Sequence, residues 1–315
     1  MLRKKLLTQT STLFIFGFLC LYIVNQVDAQ TFRERLRQRF ASQQEQAQDV
    51  EIIKDIAYRE GSSAWKLDLM LPKKASESPR PAIIFIHGGG WRNGDKGRGY
   101  FYTGAIDYAK DGYVTMTINY RLLGEAPFPS CIEDVKCAVR WLRAYAEKYN
   151  VDPDRIGAYG NSAGAHLVSM LGLAGQDAKL EGDGPWQEHS SAVQAVCASA
   201  TPADFLNWGR QGARFRNFST MFGESSDTPE ELARRSSPMT YVSAEAPPFL
   251  LVHGTADGVV PYSQGRQLEK ALKKAGAKDV TLLTYEQAGH GVFNQHAKET
   301  HPKMKEFFNR VLREQ

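Results

Sequence analysis

A chain of 315 residues with 42% hydrophobic and 23% charged residues can bury one large core, which excludes a disordered segment and fits one sizeable domain. Its 39 basic and 35 acidic residues are spread along the chain, with no Lys/Arg run that would track a phosphate backbone, so nucleic acid is not an expected partner.

Arg3, Lys4 and Lys5 precede an apolar run from Leu13 to Val24, and Val27-Asp28-Ala29 has the small-residue character of a cleavage site. Residues 1–29 therefore read as a cleavable secretory signal, with cleavage after Ala29 and a secreted or periplasmic product. The apolar run falls short of the roughly 20 residues a spanning helix needs. An uncleaved N-terminal membrane anchor is the alternative; after cleavage no membrane contact is expected. Residues 30–49 are polar and without turn punctuation, as in a linker that carries no chemistry.

From Val50 the pattern alternates. Ile52 to Tyr58 and Trp65 to Leu71 flank Glu60-Gly61-Ser62-Ser63, the signature of an antiparallel hairpin opening a sheet. Pro81 to Ile86 is a continuous apolar run, expected of a central parallel strand buried on both faces. It ends in His87-Gly88-Gly89-Gly90-Trp91, where residues without β-carbons let backbone amides approach a bound carbonyl. Trp91, next to them, is a candidate substrate contact.

A helix over 102–110, a strand over 112–120 and a helix over 130–149 follow, the last with Val135, Val139, Trp141, Leu142 and Tyr145 on its apolar side. Residues 152–155 turn into the strand that precedes Tyr159-Gly160-Asn161-Ser162-Ala163-Gly164-Ala165-His166. A serine between two glycines at a strand-to-helix turn is pushed out at the carboxyl end of the strand, which makes Ser162 the candidate nucleophile. Residues 172–190 read as loop and 192–198 as a strand. Residues 203–245, with Phe205, Trp208, Phe215, Phe218, Met221 and Phe222 in no clean period, read as a short cap-like insertion over the site.

A strand over 248–253 leads to His253-Gly254-Thr255-Ala256-Asp257, a helix over 262–275 closes at Gly276, and the last strand, 280–285, precedes Gly289-His290-Gly291 and a helix over 302–312. Alternating strands and helices argue for a mostly parallel sheet with right-handed crossovers and helices on both faces. Asp257 and His290 complete a Ser, Asp, His order that this topology imposes on a nucleophile–base–acid set. Asp204 competes with Asp257 for the acid, although it lacks the strand-then-turn context. His87 and His253 end buried strands and read as hydrogen bonders that fix loops, while His189, His296 and His301 read as surface residues. No spacing suggests a metal site, and no cofactor is implied.

Cys20 leaves with the signal, and Cys131, Cys137 and Cys197 remain. Cys131 and Cys137 are six apart on one helix, about 9 Å along its axis, beyond the roughly 7 Å between α-carbons that a disulfide tolerates. Buried free thiols are expected. Oligomeric state is left open by the sequence.

With these motifs in place, residues 50–312 resemble the α/β-hydrolase esterases, in particular the hormone-sensitive-lipase-like and acetyl xylan or feruloyl esterase-like (BD-FAE-like) group. The resemblance implies an α/β-hydrolase fold over residues 50–315, Ser162 as nucleophile, His290 as base and then acid, Asp257 as its orienting carboxylate, and the amides of Gly89, Gly90 and Ala163 as oxyanion donors. It implies a small ester or carbohydrate ester, short-acyl or feruloyl, as substrate. Prolyl-oligopeptidase-like peptidases share the serine turn and the Asp before Val259-Val260-Pro261, but usually carry a large extra domain. A non-catalytic binding protein on a hydrolase scaffold would typically lack one of the three residues.

Overall fold

A computed structural model describes residues 49–208 and 227–314. The expected signal, and all of the linker except residue 49, lie outside the described residues. The element order is β1 (Val50–Ala57), β2 (Lys66–Pro72), β3 (Arg80–Ile86), α1 (Gly99–Lys110), β4 (Val114–Ile118), α2 (Ser130–Ala144), β5 (Val151–Asn161), α3 (Ala163–Leu173), β6 (Ala195–Ser199), α4 (Pro229–Ser236), β7 (Phe249–Gly254), α5 (Tyr262–Ala275), β8 (Val280–Tyr285), α6 (Val292–Gln295) and α7 (Ala297–Leu312). The eight strands form one sheet in the order β1-β2-β4-β3-β5-β6-β7-β8, antiparallel from β1 through β2 to β4 and parallel from there on. This is the α/β-hydrolase architecture.

The side-chain alternation of a strand explains why β3 is apolar throughout. Ile84 and Ile86 point into one core with Val135 and Leu142 of α2, Leu167 of α3 and Leu268 of α5, while Ile83 and Phe85 point into a second core with Ile106 of α1 and Phe308 of α7. Helices cover both faces. The parallel register sets Ile86 beside Gly160 and Asn161 beside Ser199, so the strands end together and their following loops meet.

Helix α5 and strand β8 have the expected limits, and Gly276 ends α5 in a left-handed conformation at φ 95°. Helix α2 stops at Ala144 rather than near 149, because the chain must reverse into β5: Val151 N–H donates to the Ala146 carbonyl and Asn150 takes φ 53°. Residues 152–155, expected as a turn, belong to β5, whose pairing with β3 slips between Arg80–Val151 and Ala82–Ile156. Helix α7 starts at Ala297, five residues before the expected Pro302, with the Thr300 hydroxyl donating to the Phe293 carbonyl (2.5 Å) to tie it to the short helix α6. His301, expected at the surface, is half-buried: its ring stacks on Tyr100 (4.1 Å) and on Phe293 (5.1 Å).

Of the expected insertion 203–245, residues 209–226, with Phe215, Phe218, Met221 and Phe222, lie outside the described residues. The remainder holds α4, started by a capping box in which Glu231 N–H donates to Thr228 Oγ1 and Thr228 N–H to Glu231 Oε2. Phe205 and Trp208 stack on each other at 5.5 Å and are buried. Cys131, Cys137 and Cys197 are buried free thiols.

Buried ion pairs fasten the long connections. Lys136 and Arg140 of α2, each 1% exposed, share Glu181 of the 174–194 connection at 2.7 and 2.5 Å. Two dry cations depending on one carboxylate are costly to strand, so Glu181→Ala should lower the unfolding free energy by about 3–5 kcal/mol. Urea denaturation of the two proteins measures it, and a loss below about 1 kcal/mol would show that water reaches both cations.

Candidate active site

Ser162 lies between the end of β5 and the start of α3, with φ 57° and ψ −120°. A side chain at positive φ is strained by about 1–3 kcal/mol and persists only where its surroundings over-determine it. Here the neighbours do so. A β-carbon on Gly160 would lie 2.3 Å from the Gly164 carbonyl, and one on Gly164 would lie 2.1 Å from the carbonyl of Ile86 in β3. The turn can pack against the neighbouring strand only because both positions are glycine. The Ser162 amide donates to the Ser199 carbonyl of β6 at 2.9 Å, which ties the turn to the strand on its other side.

The loops after β7 and β8 supply the other two side chains. The Ala256 amide donates to the Ala288 carbonyl at 2.9 Å, and a β-carbon on Gly254 would come within 2.2 Å of that same oxygen. Gly254 thus lets the loop carrying His290 close onto the loop carrying Asp257. His290 Nδ1 is 2.9 Å from Asp257 Oδ2, and His290 Nε2 is 3.0 Å from Ser162 Oγ. An ionised carboxylate can only accept, so Nδ1 carries the proton and Nε2 presents its lone pair to the serine hydroxyl.

Asp257 is buried. Burial alone would raise its pKa, but donors from His253 and His290, the charge of His290 and the Val259 amide outweigh that and hold the carboxyl well below the usual carboxylate range. Oδ1 accepts from the amides of Val259 (2.8 Å) and Val260 (2.9 Å). Asp204 is elsewhere: it caps the amides of Leu206 and Asn207, both at 3.0 Å, in a loop held by Gln264 of α5.

The glycine loop after β3 lies against the serine turn, a β-carbon on Gly88 falling 2.7 Å from the Asn161 carbonyl and 3.4 Å from Ser162 Cβ. Gly89 and Gly90 have φ 109° and 61°. Among the described residues, no acceptor is taken by the amides of Gly89, Gly90 or Ala163. His87 fixes this loop, stacking on Tyr120 at 4.5 Å while Tyr120 Oη donates to the His87 carbonyl at 3.0 Å. Tyr120 carried no signal in the sequence, since a tyrosine at a strand end is ordinary.

Trp91, expected to touch substrate, is 3% exposed. Its indole packs against His166 and Phe205 and donates to His166 Nδ1 at 3.2 Å, a placement that anchors the glycine loop on α3 and leaves the ring no open face. His166 in turn donates from Nε2 to the Ser236 carbonyl of α4 at 2.7 Å.

A model of the BD-FAE family matches residues 67–272. The chain belongs to the BD-FAE family. Esterase LipC of Mycobacterium tuberculosis is 32% identical over 229 residues, which cover 71% of this chain and 56% of that protein. The chain thus spans a little over half the length of these curated relatives. A truncated carbohydrate esterase from gut microbiota superposes with a TM-score of 0.73 at 28% identity, covering 83% of this chain and 96% of that one. Thermogutta terrifontis esterase 2, solved as its sarin-phosphonylated form, does so with a TM-score of 0.71 at 27% identity, covering 84% and 95%. The BD-FAE match takes in the glycine loop, Ser162 and Asp257 and stops before His290.

Burial lowers the His166 pKa from 6.5 to about 4, against the opposing pull of the Ser236 carbonyl. Between these two values the unfolded chain binds a proton that the folded chain refuses, so stability is complete above about pH 6.5 and is lost as pH falls toward 4. At about 1.4 kcal/mol per unit, this one imidazole should remove about 3 kcal/mol across the window. In His166→Gln the stability difference between pH 7 and pH 4, followed by urea unfolding, should shrink by about that amount. An unchanged slope would show that His166 is charged in the folded protein.

Proposed function

We propose that the protein is a serine carboxylic-ester hydrolase that works through an acyl-enzyme. The observation that carries this reading is the hydrogen-bonded chain from Ser162 Oγ through His290 to Asp257, at 3.0 and 2.9 Å, beside a turn whose amides face no other acceptor among the described residues. Ser162 attacks the ester carbonyl as His290 Nε2 takes its proton; the carbonyl oxygen becomes an oxyanion held by the amides of Gly89, Gly90 and Ala163. The C–O bond to the alcohol breaks, and His290 returns the proton to the leaving oxygen. Water then repeats the sequence on the acyl-serine, releasing the acid. Asp257 keeps the imidazole in the required tautomer and stabilises the imidazolium.

The substrates we propose are short-acyl or feruloyl esters of carbohydrates. Membership of the BD-FAE family and the likeness to a gut-microbiota carbohydrate esterase support this. Turnover on p-nitrophenyl acetate, acetylated xylan and methyl ferulate should exceed that on long-chain esters. Activity that climbs steadily with chain length on emulsified lipid would move the protein to the lipases, and faster cleavage of Xaa-Pro peptides would make it a peptidase. We also propose that residues 1–29 are removed on export. Intact mass of the exported protein should lack them, and a mass that includes Met1 to Ala29 contradicts cleavage.

Asp257→Asn should keep the fold and lower kcat by up to about 10⁴, because the amide can hold the wrong imidazole tautomer. Ser162→Ala should lower it at least as far, and the double variant little further, since residues acting as one unit are strongly non-additive. Asp204→Asn should stay within about threefold of the parent, its Oδ1 still free to cap the two amides. An inactive, folded Asp204→Asn beside an active Asp257→Asn would reverse the assignment.

A further inference from the structure

His253 is a buried titratable side chain to which the reaction above gives no task. It is the next-to-last residue of β7, just before Gly254, and is 1% exposed. Its Nε2 is 3.0 Å from the Val260 carbonyl and 3.5 Å from Asp257 Oδ2. Both neighbours are acceptors, so Nε2 carries the proton. Nδ1 is buried and without a partner among the described residues. Gly265 of α5 closes that side: a β-carbon there would lie 2.6 Å from Nδ1. Nδ1 thus faces no acceptor, and the ring's donor is its Nε2–H.

The distribution of donors on Asp257 makes this donor distinctive. Val259 and Val260 satisfy Oδ1, whereas Oδ2 faces the two imidazoles, His290 at 2.9 Å and His253 at 3.5 Å. The Tyr262 ring stands edge-on to His253 at 5.8 Å. The titratable groups that face His253 are thus Asp257, with His290 beyond it, and Tyr262.

We propose that His253 is a positioning residue of the catalytic set: its Nε2–H, shared between the Val260 carbonyl and Asp257 Oδ2, holds the 257–260 turn closed around the carboxylate and limits the charge that Oδ2 presents to His290. The inference rests on the ester-hydrolase reading and extends it to a second histidine. Without this N–H, Oδ2 keeps more negative charge for His290, the imidazolium is favoured and a higher pH is needed to free the base. The turn also loses the bond that closes it through Val260, so the Asp257–His290 geometry loosens. His253 touches no substrate, and its loss should appear in kcat rather than KM.

The test compares wild type, His253→Leu and His253→Gln on p-nitrophenyl acetate, with rates normalised to the sites a fluorophosphonate probe labels. His253→Leu should move the acid limb of kcat/KM up by about half a pH unit, since removing an N–H dipole 3.5 Å from the charged carboxylate alters its partner's proton affinity. Its kcat should fall about tenfold with KM within about twofold. His253→Gln, whose amide N–H can reach the place of Nε2–H, should restore most of both. The low-field proton resonance of His290 Nδ1–H should shift in the Leu variant and return in the Gln variant. A His253→Leu protein with the wild-type acid limb, wild-type kcat per labelled site and an unmoved resonance, changed only in melting temperature, overturns the proposal. If wild type neither hydrolyses the ester nor takes the probe, the ester-hydrolase reading fails on its own. The proton resonance then still decides the role of His253, a shift supporting it and an unmoved line rejecting it.

Discussion

The contact on which the rest of the site depends is the one between the serine turn and the neighbouring strand. Ser162 is held at φ 57°, and the geometry survives because the backbones of residues 160 and 164 pass within reach of each other and of Ile86 in β3. No side chain larger than hydrogen fits at either glycine. The strain at Ser162 is therefore a property of the sheet: the Ile86–Gly160 register puts the end of β3 where the turn must fold over it. The same register brings Gly88 against Asn161, so the strand that positions Ser162 also positions the glycine loop beside it.

Electrostatics reinforce this arrangement in two ways. Asp257 is buried yet ionised because two amides and two imidazoles surround it, which leaves it acting as a fixed negative charge behind His290. Away from the site, buried lysines and arginines bind connections to the body. Lys96, in the loop that follows Gly88–Gly90, is held by Asp55 (2.7 Å) and Asp68 (2.6 Å) of the first hairpin, just as Lys136 and Arg140 hold Glu181. A positioned base needs rigid neighbours, and these pairs supply rigidity to segments with no ladder of their own.

The core elements were legible because their signals are local. An unbroken apolar run marks a strand buried on both faces, as in β3 and β7, and Gly276 marks the end of α5 by its backbone freedom alone. The candidate site was legible for a related reason: a serine between glycines, an Asp after a strand and a His between glycines are each set by the turn that carries them. What the sequence concealed is decided by partners outside the element itself. The end of α2 depends on a reversal into β5, and the early start of α7 on the Thr300–Phe293 bond. The burial of Trp91 depends on His166 and Phe205, the first 75 residues and the second more than a hundred residues along the chain. An aromatic residue beside a glycine loop reads as a ligand contact until a second aromatic cluster claims it.

Trp91 also shows how the parts of the site are coupled. Its own φ of 57° continues the positive run begun at Gly89 and Gly90, and a bulky residue in that conformation needs an anchor. The anchor is His166, one turn into the helix that begins after Ser162, and His166 is in turn bound to the Ser236 carbonyl of α4. A continuous chain of contacts therefore runs from the glycine loop through α3 to the helix of the insertion. A displacement of α4 would be felt first at the His166 ring and then at the loop that carries the Gly89 and Gly90 amides, without passing through the Ser162, His290 or Asp257 side chains. The Ser162–His290–Asp257 set is held by the sheet, whereas the amides that would hold the oxyanion are held partly by the insertion. Substitutions in α4 are accordingly the ones that would change transition-state stabilisation while leaving the Ser162–His290–Asp257 geometry in place.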